Sequence, residues 1–438
     1  MARYLVVALL ALAGPAQAQD FDLLRAIAVG APMTADVAAQ RAVEVAPSVE
    51  RAEALAQASE AALLRVRAAL VPRLEGSARY THIDGFPNAR INGISIEIPR
   101  NQYALSGRLS YPVSDLIFAT LPQIDGAEAS VEAYRAQSDA RRARVRLSAR
   151  EAFFQLARAR GVQAVAERAL VQARELQASV DAGVRAGVRT PADGSDAAAR
   201  LASAEQAVIA AAASVDVADA SLRTLLQHPD GAAYGIGELA SAPQPLPSAD
   251  GLIARARAQR AEVVSLQHAI RAQRKGAKAQ RASGYPHLSV YAGGDYAQPN
   301  RYQIPPRAVW QASWELGASL TYAPNDTLVS VRKAREDDAN IRASEADLEE
   351  LDRSLLLEVR TARATLGRTE QNLAATHSSQ RAAEDAYQRR LAQLRGGEVT
   401  LADVLASEGA LNEARLHALE ATIDDRIARA RLAYAVGE

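Results

Sequence analysis

The sequence predicts a mainly α-helical protein with a small β part, built as long coiled-coil-like helical hairpins in two internal repeats. Three observations carry that expectation. The stretches following Pro122 as far as Gly187, and from Leu328 to Gly396, contain no proline, and as helix each would extend on the order of 100 Å. Four short segments alternate apolar and polar residues with a period of two, and they come as two pairs. The same motifs then recur at a nearly constant separation. Val71-Pro72-Arg73-Leu74 returns as Tyr285-Pro286-His287-Leu288, Leu109-Ser110-Tyr111 as Leu320-Thr321-Tyr322, and Gly187 as Gly397.

Composition narrows the class. Among 438 residues, Lys+Arg and Asp+Glu are both 51, so no basic surplus marks a nucleic-acid binder. Cysteine is absent, which excludes disulfides, thiolate metal sites, a cysteine nucleophile and a lipidated N-terminal cysteine. Aromatics make up 5% against 49% hydrophobic, so Ala, Leu and Val carry the apolar total. Small apolar residues mixed with Arg, Glu and Gln suit long, closely packed helices.

In chain order, residues 1–18 read as a secretory signal: Arg3, the apolar Leu5 to Ala13, then the small-x-small site Ala16-Gln17-Ala18. No other apolar run approaches the roughly 18 residues of a membrane helix. A first repeat, 19–228, holds a helix near Thr34–Leu70, the strand pair 72–111, a long helix, a tip near 187–193 and a returning helix near Pro191–Gln227. Residues 229–248, with Pro229, Pro243, Pro245 and Pro247, form a linker. The second repeat, 249–438, has a helix near Ala249–Ala282, the strand pair 286–322, a long helix, a tip near 396–403 and a helix near Leu401–Tyr434. Leu348, Leu355 and Ala362 recur every seven residues, as do Val359, Leu366 and Leu373, which is coiled-coil spacing.

The strands are expected at Pro72–His82, Asn101–Tyr111, Pro286–Ala297 and Val309–Tyr322. In the last, Trp310, Ala312, Trp314, Leu316, Ala318, Leu320 and Tyr322 share one face against Gln311, Ser313, Glu315, Gly317, Ser319 and Thr321. In the third, Tyr291 breaks the alternation. Segments of about ten residues, apolar on one side and aromatic near the ends, fit a transmembrane β-barrel; a soluble sandwich shows the same alternation. Tyr111, Trp310, Trp314 and Tyr322 are the expected lipid-facing belt. Leu105, Leu109, Trp314 and Leu316 should face lipid, and Arg79, Arg108 and Glu315 a lumen.

Little in the chain carries chemistry. Six scattered histidines show no metal-ligand spacing, and there is no HExxH, nucleophile elbow or phosphate loop. Gly235-Ile-Gly237-Glu-Leu-Ala240 formally fits a dinucleotide fingerprint, but without a preceding strand it reads as a turn. No enzyme activity, cofactor or metal is expected. A basic stretch (Arg255 to Arg281) and an acidic one (Glu336 to Asp352) flank the second strand pair. If residues i and about 611 − i are level on antiparallel helices, Arg274 opposes Asp337, and Arg260 opposes Glu350 or Leu351. The result is an interhelical charge seam or simply two solvated faces.

A signal peptide and two repeats of strand pair, long helix and helix-turn-helix tip resemble the TolC-like outer-membrane efflux channels. The tips carry the most specific match: Ala186-Gly187-Val188-Arg189-Thr190-Pro191-Ala192-Asp193, and Gly396-Gly397-Glu398-Val399-Thr400-Leu401-Ala402-Asp403-Val404-Leu405. The Leu70-Val71-Pro72-Arg73-Leu74 run is similar to the family's helix-to-strand junction. The resemblance implies a homotrimer with a 12-stranded outer-membrane barrel and a periplasmic helical tube closed at its tips. It implies partners too: a periplasmic adaptor (membrane fusion) protein and an inner-membrane pump of RND, ABC or MFS type. Physics reaches part of this alone. Four strands leave two edges that lipid cannot satisfy, and barrels begin at about eight strands, so closure needs more than one copy.

Gly187 and Gly397 suit helix ends that need positive φ. Asp193 and Asp403 then serve as helix caps, or line a constriction as rings of carboxylates in the trimer. The family's gate also carries a basic residue and a second acidic residue where this chain has Val399 and Ala406. Arg189 or Arg395 is therefore expected to latch the closed state. The competing reading is a periplasmic coiled-coil adaptor or structural spacer.

Overall fold

The computed structural model describes residues 31–84, 89–91, 94–96, 99–227, 234–236 and 248–438. The expected signal segment and nearly all of the expected linker lie outside the described residues. Among them the elements run β1 (Ala31–Met33), α1 (Ala35–Val45), α2 (Pro47–Arg67), β2 (Arg73–His82), β3 (Ala89–Ile91), β4 (Ile94–Ile96), β5 (Asn101–Tyr111), α3 (Leu121–Arg185) and α4 (Pro191–Leu226). Then follow β6 (Tyr234–Ile236), α5 (Ala249–Gln259), α6 (Ala261–Arg281), β7 (His287–Gln298), β8 (Gln311–Thr321), α7 (Pro324–Gly396) and α8 (Leu401–Val436). Helix lengths of 11, 21, 65 and 36 residues are answered by 11, 21, 73 and 36.

Helices start where a side chain or a proline satisfies the first turn. Thr34 and Ser248 accept from the N–H of Val37 and Gly251, while Pro47 and Pro324 open α2 and α7 without needing a donor. The expected helix 34–70 is interrupted at Ala46, which is extended (ψ 118°) because Pro47 follows. The expected helix 249–282 breaks at Arg260 with the same ψ and no proline. There the guanidinium is buried: it donates to Glu262, Glu358 and the Tyr434 carbonyl and lies 4.4 Å from the Tyr434 ring centroid. Tyr234–Ile236, expected within a turn, instead form β6, paired in parallel with β1.

Two compact units account for the contacts. One takes the chain up to Ala52, Ser138–Val263 and Leu351–Glu438; the other takes Glu53–Gln137 and Val264–Glu350. The first is all-helical apart from β1 and β6. Its main core joins Ala38, Ala39 and Ala42 of α1, Phe153 and Leu156 of α3, Leu222 and Leu226 of α4, and Leu419, Ile423 and Ile427 of α8. The two returning helices differ sharply: eighteen residues of α8 are buried and only five of α4. By length and composition alone, α4 is apolar enough to cross a membrane.

The second unit holds a four-stranded antiparallel sheet in the order β2-β5-β7-β8. Residues 299–310 join β7 to β8 at the end away from the helices, β3 pairs with β4 between β2 and β5, and β5 reaches β7 by way of the helices. Beside the sheet, α6 and α7 are level where expected: Thr327 Oγ1 donates to the Gly284 carbonyl, and Ser330 Oγ to the Arg281 carbonyl. The charge seam exists but is displaced. Arg281 pairs with Asp338 rather than residue 330, and Arg274 with Glu345 rather than Asp337, each at 2.6 Å. In the first unit Arg260 likewise pairs with Glu358, not Glu350. Helical side chains lean toward their own N-terminus. On antiparallel helices both partners lean, and the meeting point shifts by two turns.

Candidate functional site

Two places carry the expected site residues, one in each unit. The sheet comes first. Directly paired residues share a face, so the register sorts the side chains into rows. One face presents Ala78–Leu105–Tyr296–Ala312, then Gly76–Gly107–Gly294–Trp314, then Leu74–Leu109–Ala292–Leu316. The other presents Ser77–Ser106–Asp295–Ser313, Glu75–Arg108–Gly293–Glu315 and Arg73–Ser110–Tyr291–Gly317. Leu105, Leu109, Trp314 and Leu316 thus lie together, opposite Arg79, Arg108 and Glu315. Large apolar groups on the first face are open: Trp314 is 82% exposed, Leu316 76% and Leu320 70%. A soluble monomer seldom leaves so large a patch uncovered.

Tyr291 breaks the alternation for a reason. Its ring lies flat across Gly317, where a Cβ would meet the hydroxyl at 2.6 Å. The Arg108 guanidinium sits 4.2 Å above that ring and 4.0 Å from Glu315, a cation–π contact inside a charge row.

Aromatic residues mark the two ends of the apolar face. Tyr80, Tyr103, Trp310 and Tyr296 form a chain of ring contacts, with Tyr80–Tyr103 centroids 5.1 Å apart and Tyr296 stacked on Trp310 at 4.9 Å. At the helical end lie Tyr111, paired with Val290, and Tyr322, whose hydroxyl lies 3.2 Å from Thr327 Oγ1. From Trp310 to Tyr322 the strand extends about 40 Å, or roughly 30 Å of height at a barrel's tilt. Trp314 is not at an end; it lies inside the strand, facing Gly294. Tyr80, Tyr103 and Tyr296, which are not among the expected belt residues, share the apolar face and the same strand ends as Trp310.

The helical tips are built twice on one plan. Gly187 (φ 74°) and Gly397 (φ 77°) take the left-handed conformation. Their N–H groups donate to Val184 and Leu394, and those of Val188 and Glu398 to Gly183 and Gln393, at 3.0–3.2 Å. These bonds satisfy the last carbonyls of α3 and α7. The returning helices open on capping boxes. Thr190 Oγ1 accepts from Asp193 N at 3.2 Å, while Asp193 Oδ2 accepts from the Thr190 N–H and hydroxyl, both at 2.9 Å. Thr400 and Asp403 repeat this at 3.2, 3.0 and 2.6 Å. The sequence reading singled out the aspartates and missed the threonines, although Thr-x-x-Asp before a helix is the signature. The Thr190 N–H, then its hydroxyl, holds the Asp193 carboxyl below the usual carboxylate range, with Arg189 adding to it. For Asp403 the Thr400 hydroxyl leads, then its N–H, with Arg390 nearby.

Arg189 reaches the Leu394 carbonyl at the end of α7 (3.5 Å), with its stem packed over Gly183, where a Cβ would come within 2.9 Å. Arg395 is exposed and forms no ion pair among the described residues; Arg390 is the cation that acts on Asp403. Above the tips, the buried stripe of α8 runs Leu401, Val404, Glu408, Leu411, Arg415. Glu408, 0% exposed, is held by Arg200 at 3.2 and 3.4 Å. Arg415 is held by Glu384 at 2.6 Å. The sequence reading passed over both, though charges at core positions of an apolar stripe are visible in the spacing.

The family model for outer membrane efflux proteins matches residues 38–228 and 252–438. The chain belongs to the outer membrane efflux protein family. Its fold is shared by the outer-membrane channel OprN (19% identity, TM-score 0.76, covering 92% of this chain and 89% of that one). The Campylobacter jejuni channel CmeC gives 16% identity and a TM-score of 0.77, covering 92% and 85%. The open-state channel MtrE of Neisseria gonorrhoeae gives 19% and 0.73, covering 95% and 91%. No curated protein matches the chain by sequence. This efflux protein is therefore an outer-membrane channel with a periplasmic helical part. Channels of its family are trimeric and work within efflux systems. The family settles the choice between a soluble sandwich and a barrel: the open edges of β2 and β8 are barrel seams.

Proposed function

We propose that this channel is a passive outward duct of a tripartite efflux or type I secretion system, closed at rest at its periplasmic helical tips. It joins a periplasmic adaptor protein to an inner-membrane pump of RND, ABC or MFS type, and the pump supplies the energy. The supporting observation is the pair of tips, which repeat the same glycine turn and Thr–Asp capping box. Such rigid turns present Asp193 and Asp403 as fixed, ionised carboxylates, and threefold symmetry gathers them toward one axis as a cation-attracting ring. Arg189 ties the first tip to the end of α7 and is the candidate latch; Arg395, facing solvent, is available to a neighbouring copy.

Single-channel recording in planar bilayers tests this reading. Asp403→Ala or Asp193→Ala should lose cation selectivity, and Arg189→Ala should conduct more. Unchanged conductance and selectivity in all three would leave the aspartates as helix caps alone and refute the tip gate. The spacer reading is disfavoured because it gives the apolar face of the sheet nothing to meet.

A further inference from the structure

The connection between β7 and β8, residues 299–310, folds back over the polar face of the sheet. Asn300, 4% exposed, donates through its side-chain amide to the Gln311 carbonyl (3.0 Å) and Ser313 Oγ (3.1 Å), and its Oδ1 accepts from the Tyr302 N–H (3.0 Å). These bonds tie the backbone down. Arg301 then bridges two carboxylates, 3.1 Å from Asp295 and 2.8 Å from Glu315, and the Tyr302 hydroxyl donates to Glu315 at 3.2 Å. Glu315 is four residues into β8 from Gln311, about 13 Å along the strand from its outer end. A connection rising away from the strand ends would leave Arg301 far above that row. The side chains that hold Asn300 and Arg301, namely Asp295, Ser313 and Glu315, belong to the polar face.

From this geometry we infer that residues 299–310 form a clamped flap which narrows the outer mouth of the duct and sets the largest solute that passes, with Arg301 as its clamp. The inference rests on the proposed duct with the polar face lining the lumen. Three copies bring three flaps into one mouth. Each is fastened over the polar face by a charge-assisted bridge to two carboxylates, while Trp310 at its end packs on the Tyr103 and Tyr296 rings. The flap's Ile304, 90% exposed, belongs to no core. What holds the flap over the polar face is therefore the Arg301 bridge and the Asn300 amide, with Gln298 Nε2 donating to the Ala308 carbonyl (2.9 Å) nearer the strand ends.

Absence of cysteine makes the test clean. Ser319→Cys puts one thiol on the polar face, deeper than the Glu315 row. Cells carrying it are treated with a small sulfonated maleimide and with a bulky polymer-tagged one. The comparison variants, each carrying Ser319→Cys, are Arg301→Ala, Arg301→Lys and a chain with residues 300–308 replaced by a short Gly-Ser turn; trimer formation is checked on gels. The small reagent should label all of them. The bulky reagent should label the intact flap slowly, the Arg301→Ala and shortened chains about tenfold faster, and Arg301→Lys slowly. Equal bulky-reagent rates with and without the flap, whether fast or slow, overturn the flap and leave the duct standing. Failure of the small reagent to label any trimer overturns the lumenal assignment itself.

Discussion

The buried ion pair near the tips makes an asymmetric prediction. Glu408 is fully buried between Val404 and Leu411 on the core stripe of α8, whereas the side chain of its partner Arg200 is 29% exposed. Removing Arg200 strands a carboxylate in an apolar setting. Breaking such a pair from one side costs about 3–5 kcal/mol, and the partial exposure of Arg200 argues for the lower end. Replacing Glu408 with leucine instead completes the stripe and leaves an arginine that can turn to water, a change that is neutral or costs about 1 kcal/mol. Hydrogen exchange over residues 401–415 reads the difference as local opening. Arg200→Ala should accelerate exchange about a hundredfold, taking 1.4 kcal/mol per factor of ten. Glu408→Leu should change it less than about tenfold, and the double variant should resemble Glu408→Leu. If Arg200→Ala leaves exchange unchanged, or Glu408→Leu costs as much, the burial argument is wrong.

Three further outcomes follow from the same geometry. Arginine at Leu316 should reduce the heat-resistant trimer on gels far more than arginine at Ser319, because a charge at mid-bilayer costs about 2–4 kcal/mol; equal effects would contradict the assigned faces. Thr400→Ala should raise exchange at the α8 start about fivefold through loss of its capping bonds. The Asp403 carboxyl is depressed, so its contribution is complete above the ordinary carboxylate range and fades as pH falls through the depressed value; the effect of Thr400→Ala should hold at neutral pH and shrink only in strong acid. Gly317→Ala collides with the Tyr291 ring and should lower trimer heat stability, recovered by adding Tyr291→Ala, whereas Gly76→Ala enters open space and should not.

Much of the fold was legible because its signals are local. Strand bounds follow from alternation, since burial on one face enforces a period of two. The tips follow from Gly187 and Gly397, since a left-handed helix end favours glycine. What escaped depends on groups distant in sequence. The break at Arg260 exists because Glu358 and the Tyr434 carbonyl receive its guanidinium, and nothing near residue 260 announces that. The charge seam was legible in kind but not in register, because backbone height was used where side-chain lean decides. Tyr291 looked like an error of alternation until Gly317 supplied the space for its ring. The inward flap could not be foreseen from a proline-rich connection, because its anchors Ser313 and Glu315 lie in the next strand.

The unequal burial of α4 and α8 has a consequence of its own. Duplication copied the length and the capping box of these helices, yet one copy sits in the core of its chain while the other leaves Ile209 and Val217 open. Where neighbouring copies in the trimer cover such a helix, the single chain is incomplete as a folding unit. Its stability is then governed by mass action: the free energy that keeps it folded includes a term in its own concentration. Dilution in detergent should act on this protein as heating acts on a self-sufficient monomer.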